Sequence, residues 1–271
     1  MASPRQSRNT AEDARFPTWR DAGRTSRLGG VGGHGVKAWV FVEGLSDQLG
    51  LEAFWKPWRE RLRTKGQGIK IIPLKNKANF LKKFGQHAAE KLAASGDDLV
   101  IGMPDLHPIV SYAATAWAHS DAATLKNVQA KAVRAALTTT QGFHPKRADA
   151  AMARLYPSLF KYDFEMLLLA AEDALRKTLG TSERLGDWRV PVEDQNLDRP
   201  PKRVIEEIFR TKSTTRSTYR DTRDAPAVLG RVVDMPAMLR SPDGRPTCPE
   251  FIDMLRWLGA RLGEPCCELP G

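Results

Sequence analysis

Residues 36–44 read Val-Lys-Ala-Trp-Val-Phe-Val-Glu-Gly, and their reading decides the fold. Val36 to Val42 is rich in β-branched and aromatic side chains, which makes it a strand, and Glu43-Gly44 ends it. Ser46 is placed to cap a helix, with Asp47 near the positive end of its dipole. Leu51, Trp55, Trp58 and Leu62 then recur at helical spacing. A second short strand follows at Ile69-Lys70-Ile71-Ile72-Pro73, then a basic helix from about Ala78 to Ala94. Leu99-Val100-Ile101-Gly102-Met103 is a third, buried strand, ended by Pro104-Asp105. This βαβαβ rhythm predicts an α/β fold: a parallel sheet with helices on both faces.

Beyond it, Asp121 is a candidate cap for a helix carrying Leu125, Val128 and Ala132, and Thr138 to Lys146 reads as a loop. Leu159 to Phe164 alternates like a further strand, and Glu165 to Leu179 reads as one helix stopped by Gly180. A proline-punctuated C-terminal region holds helices near Val204 to Arg210 and Glu250 to Leu262. Residues 1–35 lack hydrophobic periodicity and read as a disordered basic tail. That leaves 36–262 as the folded domain with its helical C-terminal extension, and 263–271 as a flexible tail. The glycine run before Val36 precedes the first strand, and no Gly-Lys-Ser/Thr follows it, so it is no phosphate-binding loop.

Composition narrows the function classes. Hydrophobic residues make up 41% and charged residues 27% of the 271, as in ordinary globular proteins. No apolar run approaches the ~20 residues of a membrane helix, and the basic N-terminal stretch lacks the apolar core of a secretory signal. Cys248, Cys266 and Cys267 give neither a disulfide framework nor a paired zinc motif, so they are expected to be ordinary thiols of a cytoplasmic protein. The net charge of +10 favours a polyanionic partner, nucleic acid first, although Arg5, Arg8, Arg15, Arg20, Arg24 and Arg27 lie in the tail.

Two acids stand directly after strands, Glu43 after the first and Asp105 after the third. In a parallel sheet both fall at the carboxyl ends of strands, where α/β proteins place ligands. Adjacent carboxylates repel unless a cation joins them, and Mg²⁺ with its preference for oxygen ligands suits the pair. The bland alternative is a turn after the first strand and a helix cap after the third. Glu165, at a helix start, is a candidate third ligand or else a partner of the helix dipole. Lys202 and Arg203, after Pro200-Pro201, read as a phosphate clamp or as a solvated first turn. Lys70, Lys75, Lys77, Lys82 and Lys83 make a basic stretch that either tracks a nucleic-acid backbone or forms an ordinary charged face.

Val42-Glu43-Gly44-Leu45-Ser46-Asp47 resembles the first motif of TOPRIM domains, and Asp105-Leu106-His107 their second, Asp-x-Asp, with a histidine replacing the second acid. Further segments are similar, in order, to signatures of the TOPRIM-like family called domain of unknown function 4276. They are Phe160 to Leu168, Pro200 to Ile205, the region of Tyr219, and Cys248-Pro249-Glu250-Phe251 with Trp257-Leu258. An acid expected near Ala171 is absent, with Glu172 or Asp173 as substitutes. The resemblance covers residues 36 to 262. It implies a TOPRIM-like domain, an AAA or ABC-type ATPase partner encoded nearby, and in some cases a role in phage defence.

Two functional expectations result. The first is a divalent-metal-dependent nuclease working with a separate ATPase. Glu43 and Asp105 would be catalytic and metal-holding, His107 and Glu165 would complete the ligand set for Mg²⁺ or Mn²⁺, and Lys202 with Arg203 would hold phosphate. No tyrosine has the context of a topoisomerase nucleophile. The alternative is a non-catalytic TOPRIM-like accessory subunit that binds an ATPase or nucleic acid, which the histidine at position 107 favours.

Overall fold

The computed structural model describes residues 35–269 apart from 196, 197 and 215. The basic tail expected over residues 1–35 therefore lies, except for Gly35, outside the described residues, as do 270 and 271. The described residues form one compact unit.

Strand β1 (Lys37–Val42) leads into α1 (Leu45–Phe54) and α2 (Lys56–Thr64), then β2 (Gly68–Pro73), α3 (Lys77–Ala94) and β3 (Leu99–Met103). After a long connection come α4 (Ala122–Thr139), α5 (Pro145–Met152) and β4 (Leu155–Pro157). The C-terminal region is helical: α6 (Met166–Ala170), α7 (Glu172–Leu179), α8 (Pro201–Lys212), α9 (Asp221–Leu229), α10 (Met235–Met238) and α11 (Pro249–Leu262). All sheet pairings are parallel, in the order β2-β1-β3-β4, with Val40 opposite Ile71 on one side and Ile101 on the other. The chain leaves β1 toward one edge and then crosses back to the other. Right-handed crossovers consequently put α1 and α2 on one face and α3 on the opposite one.

The strands carry this two-sidedness. Ala38, Val40, Val42, Ile69, Ile71, Leu99, Ile101 and Met103 belong to a core shared with α1, α2 and the C-terminal helices. Phe41 and Val100 belong to a second core with α3, α4 and α5. That period-2 division is why β1 and β3 read as near-continuous apolar runs.

Several expected boundaries move for local reasons. The first helix does not run unbroken through Trp58: it ends at the Trp55 junction, and Pro57 opens α2. Ser46 lies inside α1 rather than capping it. The helix expected over Glu165–Leu179 breaks at Ala171 (ψ 41°) into α6 and α7, and Gly180 closes α7 with φ 72°. The fourth strand is Leu155–Pro157, not Leu159–Phe164, where only Phe160 bridges to Asp105. Asp121 caps α4 as expected, accepting from the Thr124 amide at 2.8 Å while Thr124 Oγ1 accepts from Asp121 N–H at 3.0 Å. Buried Glu193 accepts from the amides of Glu250 (2.9 Å) and Phe251 (3.0 Å), supplying the cap that Cys248 does not give α11.

Gly102 sits where β3 meets α3 and α4. A Cβ there would lie 2.1 Å from Gln129 Oε1 and 2.6 Å from Phe84 Cζ. Gln129 cannot simply turn away, because it is buried and its Nε2 donates to Ser158 O at 2.8 Å. Gly102→Ala is expected to cost about 2 kcal/mol through overpacking, seen as a lower urea midpoint. An unchanged midpoint would show that this contact yields freely.

Candidate functional site

The order β2-β1-β3-β4 reverses between β1 and β3, so the crevice beyond their carboxyl ends is where this architecture places a ligand. Glu43 leaves β1 there and Asp105 leaves β3, and the Asp105 amide donates to Glu43 Oε1 at 3.1 Å. The two acids picked out in the sequence are thus brought together.

Other acids join them. Asp47 is buried at the start of α1, where its Oδ2 accepts from the Gly44 amide at 2.9 Å and its Oδ1 from Ser46 Oγ at 3.2 Å. Asp163 accepts from the Lys202 amide at 3.3 Å. Glu165, buried beside α6, faces Lys202 Nζ at 3.5 Å and accepts from the Tyr219 hydroxyl at 3.4 Å. Asp221 closes this side, 3.4 Å from Lys202 Nζ. Asp105 Oδ1 and Asp163 Oδ1 are buried with no hydrogen-bond partner.

Burial dominates the electrostatics. Desolvation pushes the Glu43 carboxyl up to about 8, against the pull of Lys77. It pushes Asp163 to about 8 as well, with Glu165 adding repulsion. Asp105 rises well above the carboxylate range through burial and then the charges of Glu43, Asp47, Asp163 and Glu165. Asp47 and Glu165 move up for the same leading reason. Two lysines answer the cluster. The buried Lys77 ammonium donates to the carbonyls of Leu106 (2.5 Å) and Pro108 (3.1 Å), and desolvation draws it down to about 8. Burial also opposes the charge on Lys202, but Glu165 and Asp221 outweigh it and raise its pKa.

His107 lies at the rim. Its ring stacks on Tyr162 with centroids 4.1 Å apart, its amide donates to Tyr162 O at 3.3 Å, and burial lowers its pKa. His119 is buried farther along the same connection, its ring nitrogens 2.8 Å from Trp117 O and 3.3 Å from Leu106 O. Lys77 and His119 together hold the start of the 106–120 connection against the sheet edge. Lys202 turns into the cluster, whereas Arg203 is exposed and pairs with Glu206 at 2.8 Å, so the two do not converge as one clamp. Glu172 and Asp173, the substitutes considered near Ala171, open α7, where Asp173 pairs with Arg176.

Asp47, Asp163 and Asp221 are not among the site residues expected from the sequence, and Lys77 is named there only as one lysine of a basic stretch, not as a partner of the acids. Asp47 had a usable signal, since it follows Glu43 through a Gly turn that points both at one edge. Lys77 had none, being one lysine in a lysine-rich stretch. Among the described residues, no three His, Cys, Asp or Glu side chains are grouped so as to hold a metal ion.

Residues 42–259 match the family model described as Domain of unknown function (DUF4276). The chain belongs to this family. No curated protein and no solved structure matches the chain. The DUF4276 match takes in every acid of the cluster, from Glu43 to Asp221, and stops before Cys266 and Cys267. Among the described residues, no helix is long and apolar enough to cross a membrane.

Proposed function

We propose that this DUF4276 chain is a non-catalytic, TOPRIM-like accessory subunit that binds an ATPase or nucleic acid. The observation that carries this reading is how the sheet-edge acids are occupied. Glu43 is engaged by the Asp105 amide, Asp47 by the Gly44 amide, and Glu165 by Lys202 and Tyr219. Burial raises the pKa values of all three, which favours their protonated forms over the free carboxylates a cation would bind. The histidine at 107 stacks on Tyr162 instead of standing as a second free acid. The net charge of +10 suits nucleic acid or an acidic partner surface.

One observation favours the second reading, a nuclease dependent on Mg²⁺ or Mn²⁺. Asp105 Oδ1 and Asp163 Oδ1 are buried and unpartnered, a costly state for carboxyl oxygens that a hard cation would relieve. By donor chemistry the carboxylate oxygens of Glu43 and Asp105 suit such an ion, but no third Asp, Glu, His or Cys among the described residues is grouped with them to complete a ligand set, so Glu165 and His107 would have to move to join it. A bound cation would supply charge for polarising a phosphate oxygen. Lys202 would then orient the acids, and Arg203 would stay outside the reacting centre.

The test is a cleavage assay on the chain alone and in complex with the ATPase encoded nearby, in Mg²⁺ and in Mn²⁺. The accessory reading expects no cleavage in either metal and unchanged partner binding by Asp105→Asn. Metal-dependent cleavage, stronger in Mn²⁺ and abolished in Asp105→Asn, would overturn it in favour of the nuclease.

A further inference from the structure

Cys266 and Cys267 lie in the segment that follows α11, which side chains of α2 hold in place. The Trp58 indole donates to Glu264 O at 3.0 Å, and Arg61 pairs with the Glu264 carboxylate at 3.0 Å. Arg61 Nη2 also donates to Pro265 O at 3.2 Å and Cys266 O at 2.6 Å. Pro265 is pressed so closely on α11 that a Cβ at Gly259 would meet its Cα at 3.0 Å. In extended chain, adjacent side chains point to opposite sides. Here a bend at 266 and 267 turns both sulfurs to the same side, 3.5 Å apart and in hydrogen-bond contact.

The two thiols differ in access. Cys266 is buried. Cys267 is half-buried and lines a cavity of about 420 Å³ bounded also by Leu255, Ala260, Pro265 and Leu269. The hydrogen bond from Cys266 lowers the Cys267 pKa, and Arg61 helps against burial and the Asp234 charge. Cys248, the remaining cysteine, is fully buried at the start of α11, and desolvation pushes its thiol up. The chain therefore holds one accessible, thiolate-favouring sulfur with a second sulfur already in contact.

We propose that Cys266 and Cys267 form a redox-active vicinal dithiol that a peroxide converts to a disulfide, with Cys267 attacking and Cys266 resolving. The Cys267 thiolate attacks one peroxide oxygen. The O–O bond breaks, the sulfur is oxidised by two electrons to the sulfenic acid, and hydroxide leaves to become water. The Cys266 sulfur then attacks the sulfenyl sulfur, the S–O bond breaks, and the departing hydroxide takes the proton Cys266 releases. The balance is two thiols and one hydrogen peroxide giving one disulfide and two waters. The sulfurs must approach by roughly 1.5 Å to reach bonding distance. Because the Cα atoms of neighbouring residues are about 3.8 Å apart, closer than ordinary disulfides allow, the closed ring is strained. It is readily reopened by an external thiol, as suits a reversible modification.

The test treats the full chain with stoichiometric hydrogen peroxide, quenches, denatures and alkylates. Of the three cysteines, only Cys248 is expected to take the alkyl group, with the 266–267 peptide lighter by two hydrogens. Cys266→Ser is expected to stop at a Cys267 sulfenic acid captured by dimedone, and Cys267→Ser to slow oxidation by about tenfold or more. Circular dichroism of both serine variants confirms that they fold. Three alkylatable thiols after peroxide, a disulfide-linked dimer, or wild-type oxidation rates in Cys267→Ser would each overturn the proposal.

Discussion

Lys77→Met is expected to lower the stability of the folded chain by about 3 kcal/mol at pH 7, because hydrogen bonds from a charged donor contribute roughly 1.5–3 kcal/mol each and two are lost. Lys77 is only 4% exposed, so nearly all of its side chain is held by protein. Its ammonium donates to Leu106 O and Pro108 O and sits 5.4 Å above the Tyr112 ring. It is also the cation that opposes the desolvation of Glu43. Methionine keeps the length and apolar stem, which leaves the packing largely intact and isolates the polar loss. Pro108 O would lose its Lys77 donor, and Leu106 O would keep only the His119 ring nitrogen at 3.3 Å, at the start of the 106–120 connection. Lys82→Met, on the exposed face of the same helix, is the control and should stay within about 0.5 kcal/mol of wild type. Urea denaturation of the three proteins decides the matter. A Lys77→Met midpoint indistinguishable from the control would show that the ammonium does not anchor the connection.

This dependence on one lysine also shows which parts of the site were legible. Glu43 and Asp105 could be read because each follows an apolar strand, and parallel topology then forces both to one edge. Glu165 could be read because it begins a buried helix. Asp163 was hidden by its neighbours. The alternation of Leu159, Phe160, Lys161, Tyr162, Asp163 and Phe164 mimics a strand with Asp163 facing outward. The chain instead pairs only briefly beyond the end of β3, through Phe160, and then turns Phe164 against Gly50. That turn carries Asp163 inward. Lys202 and Arg203 looked like one clamp in sequence, yet consecutive helical residues point about 100° apart. Lys202 accordingly reaches Glu165 while Arg203 pairs with Glu206. The sheet order, the helix break at Ala171 and the partners of Lys77 all depend on tertiary packing, which local periodicity does not encode.

The buried acids set the pH dependence of folding. Glu43 and Asp163 are raised to about 8 and Glu193 to about 7, while Asp47, Asp105 and Glu165 are raised as well, in each case chiefly by burial. A carboxyl whose folded pKa exceeds its unfolded value keeps its proton in the folded chain after the unfolded chain has lost it. Its contribution is therefore complete below about pH 4 and is lost as the pH climbs through the folded pKa. Between about pH 5 and 8 stability should fall by about 1.4 kcal/mol per pH unit for each proton retained in excess. Two groups work the other way. His107 has a lowered pKa, which favours the folded state as pH rises through about 6.5. Lys77, drawn down to about 8, does so between that value and its unfolded pKa. Within pH 5 to 8 His107 reduces the fall without reversing it, because the raised carboxyls outnumber it, and Lys77 acts only above this window. The acids with lowered pKa values, Asp121, Glu183, Asp243 and Glu264, act only at lower pH and lie outside this window. Urea midpoints measured from pH 5 to 8 should therefore decline steadily. Glu43→Gln, which is neutral in both states, should flatten the slope by close to one proton. A wild-type stability that is constant or rises across this range, or equal slopes for wild type and Glu43→Gln, would mean that the cluster is ionised and compensated in the folded chain.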